Sequence, residues 1–312
     1  MANTNHKNCG ITFTRALFHP KYWLTWLGLL LIFFIAQLPT NMRHALGNRL
    51  GKYLYKNNQK RYRVINTNLK IAFPELDDAS RDKMILEHLQ WYGCAMIDYS
   101  LLFFGSKKRL ANNLVIDGQE HIESAIDNDQ NIIILLAHSV MLEFGPAALG
   151  LKYDCFGSYK TSKNAVIDWM IAKGRCRHVS FVVSREEGLR KLVKSLQPKR
   201  LMIFLPDEDL GKDNAVFVPF FNEQKATLTT TSRIARLGKA TALPAFTWYD
   251  SASKKYRLQI FSALENYPSS DLSADAIKLN QALESLIKQH PEQYMWLLKW
   301  YRTRPENEST LY

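Results

Sequence analysis

The chain has 312 residues, 46% of them hydrophobic, and a formal net charge of +12. That length and apolar share exclude a disordered or fibrous polypeptide and allow one large globular domain or two small ones. The charge calls for an anionic partner, whether nucleic acid, a phospholipid surface or an acidic protein, without choosing among them. Cys9, Cys94, Cys155 and Cys176 form no C-x-x-C pair and no zinc-ligand spacing, so reduced thiols facing the cytosol are expected.

Residues 1–21 are polar and basic, and Tyr22 to Leu38, YWLTWLGLLLIFFIAQL, then runs without a charge to Pro39. This reads as a membrane segment whose length suits either a spanning helix or a shallowly embedded one, with Trp23 and Trp26 as interfacial anchors. A buried core helix is the alternative, and a signal peptide is disfavoured because no small-x-small cleavage site follows. Arg43, Arg49, Lys52, Lys56, Lys60, Arg61 and Arg63 follow the segment, against Lys7, Arg15 and Lys21 before it, which puts the C-terminal part on the cytoplasmic side. The expected division is residues 1–40, a tail with the membrane segment at 22–38, and 41–312, a cytoplasmic domain. Met42, Leu46, Leu50, Tyr53 and Leu54 at helical spacing predict a basic amphipathic helix against anionic headgroups. Arg61 to Leu76 predicts a helix ended by Pro74, and Ser80 is expected to cap the next.

From Asn113 the period changes. Strands are expected at 114–117, 132–137, 154–159, 180–184, 200–206, 216–221, 242–250 and 256–262, and helices at 165–174, 186–197 and 227–238. The alternation predicts an α/β fold, a mostly parallel central sheet flanked by helices, behind an N-terminal membrane helix and a helical N-terminal region. Residues 271–290 and the following YMWLLKW read as two closing helices.

Within NIIILLAHSVMLEFG, residues 131–145, a buried strand ends at His138, Met141 and Leu142 look like the first apolar positions of a helix, and Glu143 follows the histidine by five residues. Two residues five apart in one helix point about 140° away from each other and do not meet. A histidine in the turn before the helix can fold its ring back, give Nδ1–H to Glu143 and leave Nε2 to take a proton, the base-and-orienter arrangement of hydrolase triads without a protein nucleophile. The plainer alternative is a strand-end histidine satisfied by a backbone carbonyl beside a surface glutamate.

Three further stretches put polar groups at the ends of apolar runs. Lys160, Lys163 and Asn164 precede a helix and Arg175 follows it, a phosphate or carboxylate clamp or an ordinary helix-end arginine. In FLPDEDLG, Asp207, Glu208 and Asp209 leave a buried strand, where carboxylates orient a base, clamp an arginine, bind a metal or simply solvate a loop. PEQYMWLLKWYRTRPE, residues 291–306, suits a membrane-interface surface or a packed helix. G-x-S-x-G, H-E-x-x-H, Walker A and dinucleotide fingerprints are absent from the sequence, so covalent serine catalysis loses its usual address.

H-x4-E after a buried strand, the segment from Asn164 to Arg175, FLPDEDLG, VFVPFF, PEQYMWLLKWYRTRPE and RYRVINTNLKIAFPEL, in this order along the chain apart from the last, which comes first, together resemble the late lauroyl/myristoyl acyltransferases of lipid A biosynthesis, within the wider H-x4-D/E glycerolipid acyltransferase group. The resemblance implies transfer of a fatty acyl group from acyl carrier protein to a hydroxyl on an acyl chain of a lipid A precursor, at the cytoplasmic face of the inner membrane, with no cofactor or metal and no nucleic acid. It implies His138 as base and Glu143 as its orienter, with Arg175 and Asp209 as supporting groups. Asn164, Lys160 and Asp207 join them as candidate site residues. The alternatives are an acyltransferase for another membrane glycolipid or glycerolipid, a membrane-tethered anion-binding protein, and a lipid esterase.

Overall fold

The apolar runs of the second half become strands of one sheet in the computed structural model, which describes residues 12–184 and 188–312. In chain order the strands are β1 (Leu114–Asp117), β2 (Asn131–Leu136), β3 (Asp154–Tyr159), β4 (Phe181–Ser184), β5 (Arg200–Phe204), β6 (Ala215–Phe220), β7 (Glu223–Leu228), β8 (Ala240–Asp250) and β9 (Lys255–Ile260). The helices are α1 (Trp23–Gln37), α2 (Thr40–Asn57), α3 (Gln59–Ala72), α4 (Asp78–Phe104), α5 (Lys107–Ala111), α6 (Gln119–Asp127), α7 (Phe144–Leu149), α8 (Ala165–Arg175), α9 (Gly188–Ser195), α10 (Thr230–Gly238) and α11 (Leu272–Ile287). Seven strands form a sheet in the order β1-β9-β8-β2-β5-β3-β4. All neighbours run parallel except β8 and β9. The expected α/β class, a mostly parallel sheet flanked by helices, is what forms.

β2 is central because both of its faces are apolar. Ile132, Ile134 and Leu136 pack with Ile122 of α6 and Leu149 of α7, while Ile133 and Leu135 pack with Leu69 of α3, Leu89 of α4 and Leu283 of α11. Each such side chain taken fully from water contributes about 1.5–3 kcal/mol. β6 and β7 stand apart as an antiparallel hairpin. The expected strand at 216–221 is therefore real but lies outside the main sheet, and β7 occupies residues where a helix was expected to begin.

The N-terminal helices are held by close backbone approach and by buried charge. A Cβ on Gly47 of α2 would meet the Cα of Cys94 of α4 at 2.5 Å, and one on Gly93 would strike the Gly47 carbonyl. Beyond the end of α1, the Leu38 carbonyl accepts from Arg43 Nη1 at 2.7 Å and, with Ala36, from Arg109, so carbonyls left over at a helix end find partners. Arg43 is itself paired with buried Asp98 at 2.7 Å, which also accepts from Tyr256 at 2.7 Å. One face of α1 packs on the body through Trp26 against Trp169 of α8 and Phe33 against Phe104 of α4. The opposite face leaves Leu24, Leu27 and Leu31 more than half exposed. Pro20–Gln37 is long and apolar enough to cross a membrane and only 11% of it is buried, so the core-helix alternative does not hold.

Four local expectations are corrected. Asp77, not Ser80, caps α4, its carboxylate accepting from the Ser80 N–H at 2.8 Å. Helix α7 begins at Phe144, and Met141 and Leu142 lie in the turn before it. The second closing helix does not form, since after a 3-10 turn at Pro291–Gln293 the chain is irregular. Cys94 and Cys155 are buried free thiols, whereas Cys176 is disulfide-bonded and Cys9 lies outside the described residues.

Candidate active site

Sheet register builds the centre of the site. β2 and β5 are parallel neighbours with Leu135 opposite Phe204, so three residues further along each chain His138 faces Asp207 at the C-terminal edge, where open α/β sheets place ligands. One carboxylate meets the histidine twice. Asp207 Oδ2 accepts from the His138 backbone N–H at 2.8 Å, and Oδ1 lies 2.5 Å from His138 Nδ1. Asp207 is 1% exposed. Burial is the largest influence on its carboxyl and pushes its pKa up, but the His138 ring, the two hydrogen bonds from His138 and the charge of Lys225 outweigh it and hold Asp207 below its ordinary value. An ionised Asp207 can only accept, so Nδ1 carries the hydrogen and Nε2 is the basic atom.

The chain beyond residue 290 closes over this pair. The Tyr294 hydroxyl donates to Asp207 Oδ2 at 3.0 Å, Val140 N donates to the Gln293 carbonyl at 2.8 Å, and Met295 N donates to the His138 carbonyl at 2.9 Å. Ser139 and Tyr294 form an antiparallel bridge. The Trp300 ring stacks on Tyr294 at 4.9 Å and lies 5.9 Å from the His138 ring. Tyr294, Trp296, Trp300 and Tyr301 are wholly buried, so the membrane-interface reading of this stretch is overturned.

Glu143 turns elsewhere. It sits at the N-cap of α7 and forks Arg175 at the end of α8, taking Arg175 Nε on Oε2 at 3.1 Å and Nη2 on Oε1. The charge of Glu143 raises the Arg175 pKa further, against burial, so the guanidinium stays charged. The expected grip of Glu143 on Nδ1 is thus corrected: Nδ1 has one hydrogen, and Asp207 accepts it. Asp209, expected as a supporting group, holds the C-terminal segment, accepting from Thr303 N at 2.7 Å and Thr303 Oγ1 at 2.6 Å. Asn164 caps α8, its Oδ1 accepting from Val166 N at 3.0 Å and Ile167 N at 3.2 Å, and its amide reaches Thr25 of α1 at 3.1 Å. These contacts are with the start of α8 and with α1, at the far end of the helix from Arg175. Lys160 lines the site.

His138, Glu143 and Arg175 share the wall of a cavity of about 520 Å³ with Lys160, and apolar Leu142, Ile171, Val182, Leu192 and Ile203 line much of the rest beside polar His178, Asp213 and Asn214. That volume falls within the roughly 300–1,000 Å³ of small-molecule sites. The arrangement offers a base, a fixed cation and a largely apolar recess side by side. Tyr294 and the pairing of Asp207 with His138 escape the sequence reading, because the pairing depends on which strands are neighbours and Tyr294 on how the irregular C-terminal segment folds back over them. The available signal is FLPDEDLG itself, where base orientation is one of the readings of its carboxylates.

A family model for bacterial lipid A biosynthesis acyltransferases matches residues 11–303. The lipid A biosynthesis lauroyltransferase of Escherichia coli (strain K12) is 32% identical over 96% of this chain and 98% of its own. The palmitoleoyltransferase of lipid A biosynthesis from the same organism is 31% identical over the same shares. A crystal structure of the 1-acyl-sn-glycerophosphate acyltransferase of Thermotoga maritima covers 82% of this chain and 99% of its own at 14% identity and a TM-score of 0.35, too distant to carry residues across. With nearly its whole length inside that family model, the chain belongs to the bacterial lipid A biosynthesis acyltransferases.

Proposed function

We propose that the protein transfers a fatty acyl chain from acyl carrier protein to a hydroxyl on an acyl chain of a lipid A precursor, at the cytoplasmic face of the inner membrane, with residues 1–40 as the anchoring part and 41–312 as the catalytic one. The observation that carries the reading is His138 Nδ1 held by buried Asp207 at the wall of an apolar cavity that Arg175 and Glu143 also line. In this mechanism Nε2 takes the acceptor hydroxyl's proton as its oxygen attacks the thioester carbonyl. The C–O bond forms, the C–S bond breaks, and the imidazolium returns the proton to the departing thiolate. Asp207 stays ionised throughout and stabilises the imidazolium. Arg175, its plane fixed by the fork to Glu143, offers Nη1 to the developing oxyanion or to an acceptor phosphate. The apolar recess takes the acyl chain, and no metal is called on.

The test is purified protein with an acyl carrier protein thioester and a lipid A precursor, read by product mass. A product heavier by one acyl chain, lost in His138→Ala, supports the reading. Transfer only to a glycerolipid acceptor, or release of free fatty acid alone, would replace it with the second acyltransferase reading or the esterase.

A further inference from the structure

Lys225 lies in β7 opposite Val218 of β6 and has no exposed surface. An ammonium taken out of water is strongly disfavoured unless opposite charge faces it, and an apolar side chain of the same length would fill this space without that cost. Its Nζ reaches no hydrogen-bond partner among the described residues. It sits 5.3 Å from the centre of the Phe220 ring of β6, and the charges of Asp207 and Asp209 act on it without a hydrogen bond to either. The C-terminal segment packed over those carboxylates adds neutral donors, the Tyr294 hydroxyl on Asp207 and Thr303 on Asp209, while Arg302 reaches the Asp209 carbonyl. The remaining group on Asp207 is His138.

We propose that Lys225 is a positioning residue for the base: its ammonium is a buried counter-charge that shares the Asp207 carboxylate with the His138 ring and so limits how tightly Asp207 holds the imidazolium, leaving the hydrogen on Nδ1 and the basic nitrogen at the substrate. The inference rests on the acyltransferase reading for its effect on rate, but not for its effect on the histidine. Burial lowers the Lys225 pKa to about 8, with Asp207 and Asp209 pulling it back up, so the side chain is mostly charged at neutral pH. Removing that charge leaves Asp207 less compensated, its pull on the imidazolium grows, and His138 becomes harder to deprotonate.

The test compares wild type, Lys225→Met and Lys225→Arg by NMR titration of the His138 ring and by the pH profile of kcat/KM. In Lys225→Met the His138 titration and the acid limb of the profile should both move up by about one pH unit, with roughly a tenfold loss of kcat/KM on that limb. Lys225→Arg should stay near wild type. The Tm of Lys225→Met should rise at pH 7, because a depressed lysine pKa marks a charge that costs stability below about pH 8. An unmoved His138 titration in folded Lys225→Met would overturn the proposal, whatever happened to Tm. Should that variant not fold, the wild type decides: its His138 ring signals should show a second, smaller inflection near pH 8 as Lys225 gives up its proton, and a single inflection would overturn the idea. A wild type that titrates as expected yet transfers no acyl group would sink the proposed function and leave Lys225 standing as the partner of the pair.

Discussion

Nδ1 of His138 carries one hydrogen, and its delivery to Asp207 instead of Glu143 divides the two carboxylates between a base and a cation. Asp207→Asn separates these roles. The amide has a single oxygen, and the His138 backbone N–H and the Tyr294 hydroxyl both require it, so the NH₂ would face Nδ1 and drive the hydrogen to Nε2. Steady-state kinetics should show kcat lower by about 10²- to 10⁴-fold, with Asp207→Asn/His138→Ala no worse than His138→Ala alone. Glu143→Gln leaves the base alone and frees Arg175. It should lower kcat/KM by roughly 10- to 100-fold with no displacement of the acid limb of the pH profile, and a displaced limb would mean that Glu143 acts on His138 after all. Stability carries a further signature of Asp207. Its folded pKa is depressed, so its contribution is full above the unfolded value of about 3.9 and disappears as pH falls through the lower folded value. Melting curves between pH 2 and 7 should lack that acid component in Asp207→Asn.

At the scale of elements, Gly47 and Gly93 let α2 and α4 touch backbone to backbone. Gly47→Ala would press on the Cys94 main chain as well as its Sγ, so the helices must part, at a cost of about 1–3 kcal/mol visible as a lower Tm. An unchanged Tm would show that the two helices can slide. Composition alone does not reveal this contact, because α2 reads simply as a basic amphipathic helix. The strands were legible, β1 and β3 to the residue, and β2 within one residue because a continuous apolar run of its length has few other uses. The place of His138 was legible for the same reason, just past the point where β2 runs out. Its partner was not: Glu143 is near in sequence, whereas Asp207 is near only through the pairing of β2 with β5, a long-range fact that no local pattern encodes. The aromatic stretch after residue 290 misled differently. Trp and Tyr suit a membrane interface and a buried clamp equally well, and what decides is that Tyr294, Trp296 and Tyr301 each find a polar partner inside.

Across the whole molecule, α1 presents an apolar face outward while its other face leans on α8, whose last residue is Arg175. Replacing Leu24, Leu27 and Leu31 together with glutamine spares the packed face, so the fold should survive. Partition to vesicles should fall on the order of 10²-fold or more, given about 1.5–3 kcal/mol for each leucine withdrawn from lipid. Turnover of detergent-dispersed acceptor should stay near wild type, and undiminished vesicle binding would remove α1 from the anchoring role. The clamp that Tyr294 and Met295 place on Asp207 and the His138 turn also has a meaning in time. β2 and β5, which bring His138 and Asp207 together, both precede residues 294–303 in the chain and so leave the ribosome before them. A nascent chain can therefore pair these two strands while its histidine still lacks the strap that fixes it. Ordering of the His138 turn is then one of the later events of folding, set by the arrival of Tyr294 rather than by the sheet.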